Sequence, residues 1–306
     1  MRKIIAIGES VFHTVFRGSE PVKSYVGGRI ANAASSLALA GLPVIMVSEC
    51  ADDHVGNLII DYLKSNKVDV TSVDRYSNGS TPFSVIFEED GQAKERVNYG
   101  VYPADRFDVM WPRIDEDDIV IFGSLYAVEN DNRKRLFEIL QYAYDRKALI
   151  VYLPGFEYGI NYSITKVMPN ILENFEFSDV VVATDGDLHH IFPNEDGEKA
   201  YRHHMMYCHR YMHISPDCST TIYGRGEKSS VKPAAEGGNC NHLGWQAGYV
   251  AGFVYGLVKC GVTHKGAGSV SQSTWQSIVQ SAYEFADNCV QNGKNHISAE
   301  FAQQKG

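Results

Sequence analysis

The 306-residue sequence has no run of the roughly twenty apolar residues that a membrane-spanning helix needs; the apolar stretch at 247–258 is much shorter. It has no basic cluster: 28 lysines and arginines face 37 aspartates and glutamates, for a formal charge of −9. Neither a membrane nor a nucleic-acid partner is therefore expected, since phosphate backbones are held by clustered positive charge. Six cysteines are scattered, with no C-x-x-C pair. That argues against a disulfide framework and against a four-thiolate zinc site, and a reducing cytoplasmic setting is the natural expectation. The opening MRKIIAIGES meets Glu9 too early to read as a signal peptide. No internal repeat, low-complexity tract or Pro/Ser linker divides the chain, so one domain over 1–306 is expected.

What is present is an ordinary globular composition, 44% hydrophobic and 21% charged, enough for a sizeable core. KIIAIGE (3–9) is a short apolar run ending in glycine and an acid, a buried strand with functional residues at its C-terminal end. GGRIANAASSLALAGLPV (27–44) reads as a tightly packed helix closed by Gly41 and Pro43. Strand and helix patterns then alternate along most of the chain. The exceptions are an alternating segment around EDGQ (81–100), a hairpin pattern, and the stretch from HHIFPNEDGEKA to YRHHMMYCHRYM, which reads as largely helical. A final helix is expected through WQSIVQSAYEFADNCVQN. Repeated strand-then-helix units predict a mostly parallel sheet with helices on both faces and ligands beyond the strands' C-terminal ends.

The order of these elements resembles the ribokinase/PfkB family of carbohydrate kinases. IGES after the first strand, GGRIANAASSLALAG, VSECADDHVGNLI, TPFSVIFEEDG, NILENFEFSDVVVATDGDL and GYVAGFVYGL fall in the family's order, and the G-G-x-x-x-N element (Gly27, Gly28, Asn32) is intact. The resemblance implies a ribokinase-like α/β sandwich, Rossmann-type, with a small β lid from about 10–26 and 81–100. It also implies ATP-dependent phosphoryl transfer to a sugar hydroxyl with magnesium. The last Asp of the family's D-T-x-G-A-G-D signature takes the hydroxyl proton, and the G-A-G amides at a helix start form an anion hole.

This chain departs from the family at its polar positions. Aligned on the helix, the signature reads Asn241, His242, Leu243, Gly244, Trp245, Gln246, Ala247. Gly244, Trp245 and Gln246 take the anion-hole positions, and Ala247 takes that of the base. His13 stands where a substrate-gripping Asp often follows, Leu153 and Gly155 stand for Asp and Asn, and the N-x-x-E motif runs from Thr184 to Asp187. A general base is worth ~10²–10⁴ in rate and each oxyanion donor ~10²–10³. Impaired catalysis with retained sugar or nucleoside binding is the leading expectation. An active kinase using His242 as substitute base and a non-enzymatic protein dimerising through its lid are the alternatives.

Each candidate has a plainer reading beside it. His242 is a substitute base or a loop histidine bonded to the backbone. His13 is a ligand contact or a histidine filling a pocket that lost its ligand. Gly27, Gly28 and Asn32 bind a polyol, or form a turn and a helix start. Asp187, with Asp185, helps to hold magnesium or is a solvated acid pair. In 201–213, His204 with Cys208 and His209 with His213 share i, i+4 faces if the segment is helical, which is metal-ligand spacing without an evident third ligand. Gly248, Gly252 and Gly256 suit a close-packed helix face.

Overall fold

A computed structural model describes residues 2–89, 92–156, 163–234, 239–240 and 242–306. Part of the expected EDGQ turn, and Asn241, lie outside the described residues.

Strand β1 (Ile4–Ile7) leads into a hairpin, β2 (Val11–Arg17) and β3 (Glu20–Gly27). Then come α1 (Arg29–Leu39), β4 (Val44–Ala51), α2 (His54–Ser65) and β5 (Asp69–Tyr76), followed by β6 (Ser80–Glu89) and β7 (Gln92–Val101). The next elements are β8 (Ile119–Gly123), α3 (Arg133–Asp145), β9 (Leu149–Leu153), α4 (Ile164–Phe177) and β10 (Val180–Thr184). Helices α5 (Asp185–Ile191) and α6 (Gly197–Ala200) precede a π turn, Tyr201–Met205, and β11 (Arg210–Ile214). The chain closes with β12 (Thr220–Gly224), β13 (Glu227–Val231), α7 (Trp245–Lys259), α8 (Gln272–Asn292) and α9 (Ala299–Lys305).

Among the described residues the main sheet has the order β13-β12-β11-β10-β9-β8-β1-β4-β5, parallel from β11 to β5 with an antiparallel hairpin at one edge. Strand alternation feeds two cores. Ile4, Ala6, Ile119 and Ile121 face the helices α1, α7 and α8, while Ile5, Ile7, Val120 and Phe122 face α3 and α4. This is why the strands read as continuous apolar runs: both faces are covered. The second sheet, β3-β2-β6-β7, is the expected lid, with β2 and β6 parallel and antiparallel partners on either side.

Helix α7 is buried almost all round, and its glycines face α8. A Cβ at Gly252 would lie 2.2 Å from the Ser281 carbonyl, so the two backbones touch where the glycines stand.

Two expectations need correction. The His-rich segment is helical only to Met205; the His209 N–H donates to the Asp179 carbonyl, and His213 lies within strand β11. Neither His204–Cys208 nor His209–His213 therefore shares a helical face. Cys208 is buried, its thiol directed at the Phe175 carbonyl. The helix through Trp275 is also not the last, because α9 follows it.

Candidate functional site

The polar groups gather beyond the C-terminal ends of β1, β8 and β10, under the lid, where crevices of parallel sheets open. After β8, Ser124 takes φ 57 and ψ −166, a region normally left to glycine. Its hydroxyl donates to the Glu9 carboxylate, just past β1. Burial pushes the Glu9 carboxyl up, against the pull of that hydroxyl and of the nearby Arg29 and Arg96 charges.

Helix α1 begins at Gly28, with φ 98. A Cβ there would meet the Glu9 carbonyl at 2.4 Å, so only glycine lets the helix start this close to β1. Arg29, the first helical residue, sends a largely buried side chain to within 3.8 Å of Asp187. Asp187 itself is 0% exposed. Its Oδ1 accepts the Phe156 N–H at 2.5 Å and its Oδ2 accepts the Thr184 N–H at 3.0 Å, completing a capping box at the start of α5. A magnesium ligand needs an oxygen turned toward the ion; both oxygens of Asp187 are turned to the backbone and faced by a cation. Asp187 does not fit that role, and it is not a solvated acid either. Asp185 is exposed and lies 3.4 Å from His213.

On the lid, register places Tyr25, His13, Ser84 and Asn98 in one row across four strands. His13 is 5% exposed. Its Nε2 lies 3.4 Å from Arg96 Nη2 and its ring meets Tyr25 edge-on. Burial, reinforced by Arg96, lowers the His13 pKa to about 3, so the ring is neutral. With Nε2 accepting from Arg96, Nδ1 carries the proton, and that buried nitrogen has no hydrogen-bond partner among the described residues. The ring rests on Gly27, where any Cβ would fall 2.0 Å from Nε2. Asn32 is buried and turned inward, Nδ2 donating to the Val26 carbonyl at 3.3 Å and Oδ1 accepting from Tyr62 at 2.7 Å.

Helix α7 starts at Gly244 (φ 85), where a Cβ would meet the Lys294 carbonyl at 2.2 Å. The next residue along that strand of backbone, Asn295, donates to the Val26 carbonyl at 3.3 Å, so the entrances of α1 and α7 are tied together. His242 is exposed, in the turn before the helix. Its carbonyl accepts the Trp245 N–H at 3.0 Å, so one of the three expected anion-hole amides is already engaged. The Trp245 ring is not draped over the helix start. It is 4% exposed and stacks on Tyr249 at 5.1 Å inside the main core. Tyr283 of α8 beside it donates toward Cys218 and Val231 carbonyls and pairs with Thr220, stitching α8 to the β12–β13 hairpin. Gln246 and Ala247 are buried, and apart from the exposed His242 no ionisable acid, lysine or arginine stands among residues 242–249.

The pfkB family carbohydrate kinase profile matches residues 1–204. The chain belongs to that family. The match ends before α7. Curated relatives include 5-dehydro-2-deoxygluconokinases of Clostridium tetani, 24% identical over 79% of this chain and 74% of that protein, and of Geobacillus kaustophilus, 25% identical over 84% and 80%. Among solved structures, fructokinase of Vibrio cholerae O395 in its fructose-, ADP- and calcium-bound form superposes with a TM-score of 0.83, at 13% identity over 98% of this chain and 96% of that one. Aminoimidazole riboside kinase of Salmonella enterica, complexed with aminoimidazole riboside and an ATP analogue, gives 0.76 at 13% identity over 99% and 98%. The ribokinase-like α/β fold with its mostly parallel sheet is thereby shown.

Of the sequence candidates, the structure brings His13, Gly27 and Gly28 together, with Asp187 joined to them through Arg29. Sequence reading missed three participants. Arg29 is the one charged residue in 27–44, directly after the glycine pair, and that isolation was the available signal. Glu9 was visible only as a strand-end acid. Ser124 carries no sequence signal, because its strained backbone appears only in three dimensions.

Proposed function

We propose that this pfkB-family protein binds a small sugar-like ligand between lid and sheet, and that its phosphoryl transfer is impaired. The observation that carries the reading is the start of α7: a buried methyl group, Ala247, stands where the family's proton acceptor belongs. Binding is supported by the buried Nδ1 of His13, which has no partner among the described residues, and by the polar set Glu9, Arg29 and Ser124. Arg29 and Arg96, both close enough to Glu9 to act on its charge, favour an anionic ligand, a sugar acid over a neutral hexose or a nucleoside. That preference agrees with the gluconate-type substrates named by the curated relatives. ATP and magnesium have weaker support here, since Asp187 is spent on backbone amides and the Trp245 amide on His242.

Calorimetry with sugar acids, ketohexoses and nucleosides, each with and without ATP and magnesium, tests both halves. Heat of binding for a sugar acid with little ATP consumption is expected. Rapid ATP-dependent phosphorylation overturns the impaired half, and a His242→Ala variant then asks whether that exposed ring is the base. Absence of binding by every sugar overturns the ligand half. A lid-mediated homodimer is a compatible second property. The edge strand β7 carries Tyr99 and Val101 at 57% and 62% exposure, an open edge of the kind that pairing covers. Light scattering that shows only monomer at high concentration removes it.

A further inference from the structure

The His-rich segment holds a different cluster from the one its spacing predicts. After α5, the chain turns through Glu195 into the single turn of α6, whose N-terminus Asp196 caps by accepting the Lys199 N–H. The helix then widens into the π turn Tyr201–Met205. Such turns are rare in proteins and concentrate at functional sites. This one carries two consecutive histidines back over Glu195. His203 Nδ1 lies 3.0 Å from Glu195 Oε1. His204 Nε2 lies 3.3 Å from both carboxylate oxygens.

Three further facts bear on what this cluster does. The three ligand atoms all lie within 4.8 Å of one another. In a tetrahedral shell with bonds of about 2.0–2.1 Å, ligand atoms sit roughly 3.3 Å apart, so the two His–Glu spacings of 3.0 and 3.3 Å already match, and closing on an ion asks only for adjustment between the two imidazoles. The His204 ring lies flat on Phe192, centroids 3.9 Å apart and planes 4° from parallel, which fixes the direction of its Nε2. Glu195 Oε2 is withdrawn from solvent and is faced by His204 Nε2 at 3.3 Å without a well-formed hydrogen bond. Such an oxygen keeps lone pairs that a cation between it and the imidazoles could take.

We propose that Glu195, His203 and His204 form a binding site for a zinc-like divalent transition metal, with its remaining coordination position open to water. Two imidazole nitrogens and one carboxylate oxygen suit zinc, cobalt, nickel or copper, whereas magnesium and calcium prefer all-oxygen shells. The site is separate from the polar groups under the lid and independent of the magnesium that the family implies. Bound metal would clip the loop after α5 to the π turn, bracing the connection into β11.

The test is titration of chelator-treated full-length protein with Co²⁺, read by its visible absorption, and with Zn²⁺ in competition with a chromophoric chelator. The expected result is one equivalent of Co²⁺ with the intense bands of a low-coordinate site, displaced by Zn²⁺. Glu195→Gln and His203→Ala are each expected to weaken binding roughly tenfold or more. Both positions lie at or near the surface, and thermal melting of the metal-free variants checks that the fold is intact. Cys260→Ser controls for the exposed thiol and is expected to leave binding unchanged. Wild-type binding no tighter than that of the Glu195→Gln/His203→Ala double variant would reduce the cluster to a hydrogen-bonded turn and overturn the proposal.

Discussion

Helices α1 and α7 enter the fold side by side and in the same way. Each is preceded by a glycine at positive φ, Gly28 at 98 and Gly244 at 85, pressed against a carbonyl where no side chain fits. Asn295 ties the two entrances together. Their chemistry has nonetheless diverged. The α1 entrance is polar: Arg29 reaches Asp187, Glu9 holds Ser124, and His13 rests on Gly27 with a buried N–H unspent. The α7 entrance is apolar, with Ala247 buried and the Trp245 ring turned into the core. The lesson is that backbone geometry and site chemistry are separable. Glycine at each entrance answers a steric demand, while the side chains beside it differ, charged and hydrogen-bonded at α1 and packed into the core at α7.

The largest expected effect addresses the α7 side. Ala247→Asp places a carboxylate at the third residue of a helix, where the dipole favours it, and is expected to raise residual phosphoryl transfer by roughly 10²-fold or more. No gain would mean that the spent Asp187 and Trp245 amide matter as much as the missing acid. Restoring the family's small residues as well is a poorer experiment. Trp245→Ala empties a core position and is expected to lower stability by about 3–5 kcal/mol in urea denaturation. A loss under 1 kcal/mol would show that the ring merely covers an unused cleft.

The shared backbone design is sharpened by Gly28→Ala and Gly244→Ala. Strain at positive φ plus overlap with a carbonyl predicts about 2–4 kcal/mol for each, and near-equal losses support the equivalence of the two entrances. A loss at only one of them breaks it.

A smaller effect belongs to the α1 side. The folded pKa of His13 is about 3, below its ordinary 6.5. The unfolded chain therefore binds the proton first, and stability falls as pH drops below 6.5 toward 3. The His13 share of that fall between pH 7 and 5 is about 2 kcal/mol, and His13→Phe is expected to flatten the limb by that amount. An unchanged acid limb would mean that the ring is already solvated.

Much of this was legible in the sequence. The apolar run KIIAI predicted the buried first strand, the hairpin periodicity near 81–100 the antiparallel pair β6–β7, and the glycine spacing of α7 a close-packed helix face; that this face packs on α8 appeared only in three dimensions. Ala247 falls at the position of the family's base by alignment on the glycine-rich helix, an assignment that Ala247→Asp tests. The His-rich segment was misread because i, i+4 spacing presumes an α-helix; a π turn and then a strand replaced it, and the third partner, Glu195, lay before the segment. Asp187 was misjudged since a sequence cannot say whether a carboxylate faces solvent or caps a helix. Trp245 falls at an anion-hole position by alignment, but a large apolar ring at a helix start gains more by entering the core, as the stack on Tyr249 shows.

The most direct test is the turnover of the unaltered protein with saturating ATP, magnesium and a sugar acid that calorimetry shows to bind. Enzymes commonly turn over at about 10 s⁻¹, and a missing base removes ~10²–10⁴ of that, so a rate near or below about 0.1 s⁻¹ is predicted. A rate at or above about 10 s⁻¹ would mean that some other group takes the proton, and would contradict the account of α7 given above.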